Sequence, residues 1–123
     1  MLVLEPRLLV LDEPTIGQDY ERAQQLMKLM ARLRERYRTT VLIITHDVRL
    51  VAEWAVRALV LDAGELAFDG APEHLFAQQA LLAETGLLQP PIFELSAALA
   101  ASRPDRIAAA TLSAASLVRS LTA

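Results

Sequence analysis

The chain has 123 residues, of which 54% are apolar and 22% charged; this suits one small folded domain and excludes disorder along the whole length. Its 12 basic and 15 acidic residues give a net charge of −3, and because no basic run could neutralise a phosphate backbone, we expect no nucleic-acid partner. Cysteine is absent, which excludes disulfides and thiolate ligands. With no apolar run long enough to span a bilayer, this composition favours the cytosol.

The first part of the chain alternates predicted strands and helices. Residues 8–11 are apolar on both alternating faces and predict a short strand that is buried on both sides. Asp19 can cap a helix over about residues 20–38, whose apolar residues recur at helical spacing. The next predicted elements are a strand over 39–44, a helix over 48–56, a strand over 58–61 and a hairpin-like segment over 62–68. This order predicts the α/β class, with parallel strands, crossover helices and any polar site at the carboxyl ends of the strands.

The pattern changes after Gly70. Pro72 opens a predicted short helix to residue 76, and another follows over residues 79–84. Residues 96–123 are rich in Ala and Ser and predict only weak helices or fraying, without a function. We therefore expect a core over residues 1–70 and a mainly helical extension over residues 71–123.

Acidic and imidazole side chains follow two of the predicted strands. Asp12 and Glu13 come directly after the first strand, and His46 and Asp47 come after the second. Because the carboxyl ends of parallel neighbours meet at one edge, we expect these groups to lie together. One carboxylate there can hold Mg²⁺ through water, the next can activate an attacking water, and the imidazole can contact a phosphate. The alternative is that Asp12 and Asp47 merely cap turns or helices.

Three ordered segments carry a family resemblance. Residues 8–15, Leu-Leu-Val-Leu-Asp-Glu-Pro-Thr, resemble the Walker B segment of ATP-binding cassette (ABC) ATPases. Residues 16–19 stand where that family has its D-loop, with Gly-Gln-Asp in place of the commoner Gly-Leu-Asp. Residues 44–47, Ile-Thr-His-Asp, resemble the family's switch-histidine loop. The resemblance implies an incomplete P-loop NTPase core.

The resemblance also implies ATP and Mg²⁺ as cofactors and a role for each matching residue. Asp12 would be the metal residue, coordinating Mg²⁺ through water. Glu13 and His46 would be the catalytic residues, with Glu13 polarising the hydrolytic water and His46 binding the γ-phosphate. Asp19 would couple the two nucleotide sites of a dimer.

Later segments resemble a narrower group. Residues 64–72 are similar to the hairpin and helix that end many importer ATPases, and residues 86–91 are similar to the tail of energy-coupling factor ATPases. This resemblance implies an ATP-hydrolysing subunit that energises uptake of a vitamin or of a metal ion such as cobalt or nickel. It also implies membrane-embedded transport subunits as partners and a cytoplasmic, peripheral location at the inner face of the cell membrane.

The phosphate-binding half of such a cassette is missing from the sequence. A P-loop needs Gly-rich backbone amides followed by a Lys-Ser/Thr pair, whereas the four glycines here are dispersed and Lys28, the only lysine, lies within a predicted helix. The Leu-Ser-Gly-Gly signature is absent as well. The resemblance therefore covers about residues 2–99, and we expect the missing N-terminal ATPase half, or a second ATPase subunit, as a partner.

Two other functions remain open. The chain could be a non-enzymatic degenerate remnant or docking module, for which Glu13 would be dispensable. It could also be a head fragment of a DNA-repair type ABC ATPase. The lack of flanking coiled-coil heptads, the Pro14-Thr15 continuation and the acidic charge balance argue against this last function.

Because the Gly-Lys loop is missing, we predict that the isolated chain binds MgATP very weakly and hydrolyses it negligibly. The measurement is a nucleotide titration and a phosphate-release assay on the purified monomer. Micromolar affinity for nucleotide would contradict the prediction.

Overall fold

The computed structural model describes residues 6–105, 107 and 110–122. Its elements are β1 (Leu8–Asp12), α1 (Tyr20–Tyr37), β2 (Thr40–Ile44), α2 (Val48–Trp54), β3 (Ala58–Asp62), β4 (Glu65–Gly70), α3 (Pro72–Phe76), α4 (Gln79–Thr85), α5 (Pro91–Ser102) and α6 (Ala114–Thr122). No helix within these ranges has the length and apolar character that a membrane span requires. The chain separates into two compact units, one up to His46 and one from Asp47.

In the first unit, β1 and β2 form a parallel pair that is joined by the crossover helix α1. Asp12 at the end of β1 lies opposite Ile44 at the end of β2. The helix begins after Asp19, whose carboxylate accepts a hydrogen bond of 2.8 Å from the backbone N–H of Arg22. The predicted α/β class, parallel pairing and Asp19 cap are therefore confirmed.

One face of the β1–β2 sheet is packed and the other is exposed. Leu9 is 5% exposed, and Met27 and Met30 are the buried residues of α1. The side chains on the opposite face are far more open, with exposed fractions of 55% for Leu8, 47% for Val10, 42% for Leu42 and 52% for Ile44. The prediction that β1 is buried on both sides is therefore wrong. A single crossover helix covers one face of a two-stranded sheet.

The second unit contains the antiparallel β3–β4 hairpin, which confirms the hairpin predicted over residues 62–68. Ala63 and Gly64 make the turn with φ of 47° and 83°, which is the left-handed conformation that tight hairpin turns require. Arg57 and Asp69 join the strands by two hydrogen bonds of 2.7 Å each. In the described ranges β3 pairs with β4.

The hairpin shares one hydrophobic core with the helices that follow it. The buried members of this core are Ala58, Val60, Leu75, Phe76, Leu82, Phe93 and Leu112. Phe76 is completely buried, and its ring centroid lies 6.4 Å from that of Phe93. Residues on both sides of the predicted division at residue 70 thus contribute to one core, and the division itself stays a prediction.

The C-terminal segment contains helices, as its composition allows. Helix α5 continues to Ser102 and α6 spans Ala114–Thr122, while residues 106, 108, 109 and 123 lie outside the described parts; that these helices are weak or fray stays a prediction. Ser96 of α5 is completely buried. Its hydroxyl accepts the backbone N–H of Thr111 at 2.9 Å and can donate to the carbonyl of Thr111 or Phe93 at 3.0 Å.

We predict that Ser96→Ala lowers the free energy of unfolding by about 0.5–1.5 kcal/mol, because it removes the acceptor of the partly buried N–H of Thr111. The matched control is Ser102→Ala in the same helix, since that hydroxyl is exposed and donates to the carbonyl of Leu99 in its own helix. Urea denaturation followed by circular dichroism measures both variants. Equal stability of the two variants would contradict the assignment.

Candidate functional site

Glu13 occupies a strained backbone position directly after β1. Its φ is 44°, a region that residues with a side chain rarely adopt. Its backbone N–H donates to the carbonyl of Ile44 at 2.8 Å, so the pairing with β2 continues one residue beyond β1. Such strain persists only where surrounding contacts hold the residue in place.

The Glu13 side chain is held by the two residues that follow β2. The Nδ1 atom of His46 lies 2.6 Å from Oε1 of Glu13, and the backbone N–H of His46 donates to the same oxygen at 3.1 Å. The hydroxyl of Thr45 donates to Oε2 at 3.1 Å. Both oxygens of the carboxylate are therefore engaged from a loop that is 32 or 33 residues away in sequence.

These contacts keep the carboxylate ionised. The hydrogen bond with His46 is the largest influence and lowers the pKa of Glu13 below its ordinary value; the Thr45 hydroxyl, the charge of His46 and its backbone N–H act in the same direction, and desolvation opposes them. An ionised carboxylate can only accept hydrogen bonds, so Nδ1 of His46 carries a proton. The ring nitrogen Nε2 is then protonated only when the imidazole is charged.

Of the predicted site residues, Glu13 and His46 are in direct contact. The Glu13 side chain is 28% exposed and that of His46 is 78% exposed. The imidazole is therefore accessible from solvent, and the carboxylate is much less so. Asp12 ends β1 and is exposed. Thr45 was missed by the sequence reasoning, although its place next to His46 at the end of a parallel neighbour was a usable signal.

Two other acidic residues near the strand ends act as helix caps. Asp19 caps α1, and its predicted role in a dimer stays a prediction. Asp47 caps α2 and accepts the backbone N–H groups of Arg49 and Leu50 at 2.9 and 3.4 Å. Asp47 therefore serves as a helix cap, which is the alternative that the sequence analysis left open for it.

The donor set can be compared with what Mg²⁺ requires. Within the part of the chain that the structure describes, no three His, Cys, Asp or Glu side chains converge to hold a metal ion. A Mg²⁺ ion that is bound mainly by phosphate oxygens and water needs only one or two protein carboxylates. The exposed carboxylate of Asp12, one residue before Glu13, fits that smaller requirement.

No protein-family model matches the chain. A protein of Photobacterium profundum described as an ABC transporter ATP-binding protein is 40% identical over 105 residues, which cover 85% of this chain and 19% of that protein. A Bacillus subtilis protein described as an HMP/thiamine import ATP-binding protein is 46% identical over 89 residues, which cover 72% of this chain and 15% of that protein. The chain thus spans about a fifth or less of these curated relatives.

A solved structure is also similar to this chain. CbiO1 from Clostridium perfringens, which is part of the ABC transporter complex CbiONQ, matches with a TM-score of 0.58 and 33% sequence identity. The match covers 76% of this chain and 38% of CbiO1. The likeness therefore extends over most of the described fold but over less than half of the solved protein.

We predict that His46→Ala raises the pKa of Glu13 towards its ordinary value, because it removes the strongest donor to the ionised carboxylate. His74→Ala is the matched control, since that histidine is exposed on α3. The measurement is the carboxyl ¹³C NMR titration of Glu13.

The sign of the linked stability follows from the lowered pKa of Glu13. The contribution is present above the pKa of the unfolded state and is lost as the pH falls through the lower, folded-state pKa. His46→Ala should therefore shrink the acid-dependent loss of stability, whereas an unchanged Glu13 titration in this variant would contradict the assigned contact.

Proposed function

Since the chain is a partial ATP-binding cassette (ABC) ATPase, we propose that it supplies the carboxylate and histidine side of a nucleotide site in the ATP-binding subunit of an ABC transporter. The observation that carries this proposal is the 2.6 Å contact between Glu13 and His46. A general base and an anion-binding imidazole must lie within reach of one substrate, and this contact meets that condition.

Glu13 and His46 divide the proposed chemistry. Glu13 polarises the hydrolytic water and accepts its proton, a role that requires the ionised carboxylate that the lowered pKa favours. The exposed ring of His46 contacts the γ-phosphate. Because Nδ1 faces Glu13, Nε2 is the ring nitrogen that is left to contact phosphate.

We propose that Asp12 holds the metal ion and that Asp19 couples the two nucleotide sites of a dimer. Bound Mg²⁺ would supply the positive charge that neutralises the phosphate oxygens. Asp12 would hold the ion through water, as its exposed position at the end of β1 permits. Asp19 is exposed at the start of α1, and its position supports the proposed contact with a second ATPase subunit.

The exposed face of the β1–β2 sheet supports a partner that completes the core. This face consists of Leu8, Val10, Leu42 and Ile44, each more than 40% exposed, and apolar sheet faces in α/β folds are normally covered on both sides. We propose that the N-terminal ATPase half, which carries the Gly-rich lysine loop, or a second ATPase subunit covers it. The same partner would supply the phosphate cradle that this sequence lacks.

The relatives support an importer of the energy-coupling factor type. One is described as an HMP/thiamine import protein, and CbiO1 is part of the complex CbiONQ. We propose by this likeness that the parent ATPase energises uptake of a vitamin or a metal ion. It would work with membrane-embedded transport subunits, at the inner face of the cell membrane.

The test is coexpression of the chain with an N-terminal half that carries the Gly-Lys loop and the Leu-Ser-Gly-Gly signature. We predict that Glu13→Gln lowers kcat for ATP hydrolysis by about 10²–10⁴-fold, because it removes the general base, while nucleotide affinity is retained. Phosphate release and nucleotide titration give the two quantities. Glu21→Gln is the control, because Glu21 is exposed in the first turn of α1.

Two outcomes would contradict the proposal. Equal hydrolysis by the wild type and Glu13→Gln would remove Glu13 from the chemistry. Binding of the N-terminal half without any hydrolysis would instead favour the docking module.

A further inference from the structure

We infer that Thr45 is a positioning residue for Glu13. Its hydroxyl donates a hydrogen bond to Oε2 of Glu13 and so fixes the orientation of the Glu13 carboxylate. The inference rests on the proposed function, in which Glu13 acts on the hydrolytic water. Thr45 would act through Glu13 and would not touch the reacting atoms.

The arrangement of donors around Glu13 carries this inference. The backbone N–H and the Nδ1 atom of His46 both contact the same oxygen of Glu13, Oε1. The last torsion of a Glu side chain is broad, so donors on one oxygen leave the plane of the carboxylate free to rotate. The Thr45 hydroxyl, 3.1 Å from Oε2, engages the second oxygen and restricts that rotation.

The place of Thr45 in the fold makes its hydroxyl a well-oriented donor. Thr45 follows directly on Ile44, whose carbonyl accepts the backbone N–H of Glu13 at 2.8 Å, so backbone and side chain of Glu13 are held by the same short segment. Threonine is β-branched and has few χ1 rotamers, which directs the hydroxyl. The bond is partly buried, and hydrogen bonds to a charged acceptor are stronger than neutral ones.

The first experiment measures the full 123-residue chain without any activity. The orientation of the Glu13 carboxylate is compared by crystallography in the wild type, Thr45→Val and Thr45→Ser. We expect one orientation in the wild type and in Thr45→Ser, and a rotated or disordered carboxylate in Thr45→Val, which is nearly isosteric but has no donor. Circular dichroism checks the fold, and Thr45→Ala replaces the valine variant if that variant unfolds. A wild-type carboxylate orientation in the variant without a donor would overturn the inference.

The second experiment uses the complete ATPase formed with the N-terminal half. Loss of one hydrogen bond to a charged group corresponds to a fall of about 10-fold in kcat for Thr45→Val. We expect the KM for ATP to stay within about 2-fold, because the interaction acts on Glu13 rather than on the nucleotide. Thr45→Ser should restore kcat.

The two proposals fail separately. If Glu13→Gln hydrolyses ATP as the wild type does, the proposed function fails, whatever Thr45→Val does. If Glu13→Gln is inactive but Thr45→Val keeps the wild-type kcat, only the role of Thr45 is overturned.

Discussion

The parallel register of β1 and β2 is the constraint on which the candidate site depends. Asp12 lies opposite Ile44, so the residues after the two strands emerge at the same edge, and the hydrogen bond from Glu13 N–H to the Ile44 carbonyl continues the ladder. Only in this register does the carboxylate of Glu13 meet Thr45 and His46. A slip of one residue would turn the strand's side chains to the opposite face and separate these groups.

Local geometry gives different functions to chemically similar acids. Asp19 and Asp47 stand one residue before a helix, where a short carboxylate side chain reaches the first free backbone N–H groups. Glu13 instead precedes Pro14 and a turn, and its φ of 44° directs it away from the strand path. Its side chain is therefore available to the neighbouring loop, and the donors found there keep it charged.

The exposed sheet face agrees with the small share of its relatives that this chain covers. Leu8 and Val10 on β1, and Leu42 and Ile44 on β2, remain open to solvent, although exposed apolar faces of this kind normally mark an interface. The chain matches 19% of one ABC transporter relative and 38% of CbiO1. The partner proposed to cover this face would complete both the core and the proposed nucleotide site.

The sequence by itself determined what is encoded within a few residues: the apolar spacing of α1, its cap at Asp19 and the β3–β4 turn. Their places after two predicted parallel strands, together with a family resemblance, singled out Glu13 and His46. Only the tertiary structure decided the register that joins them, the contribution of Thr45 from 32 residues away and the exposure of one sheet face. It likewise decided the hydrogen bond between Thr111 and the buried Ser96. Spacing and capping act locally along the chain, whereas these contacts arise only when distant segments pack together.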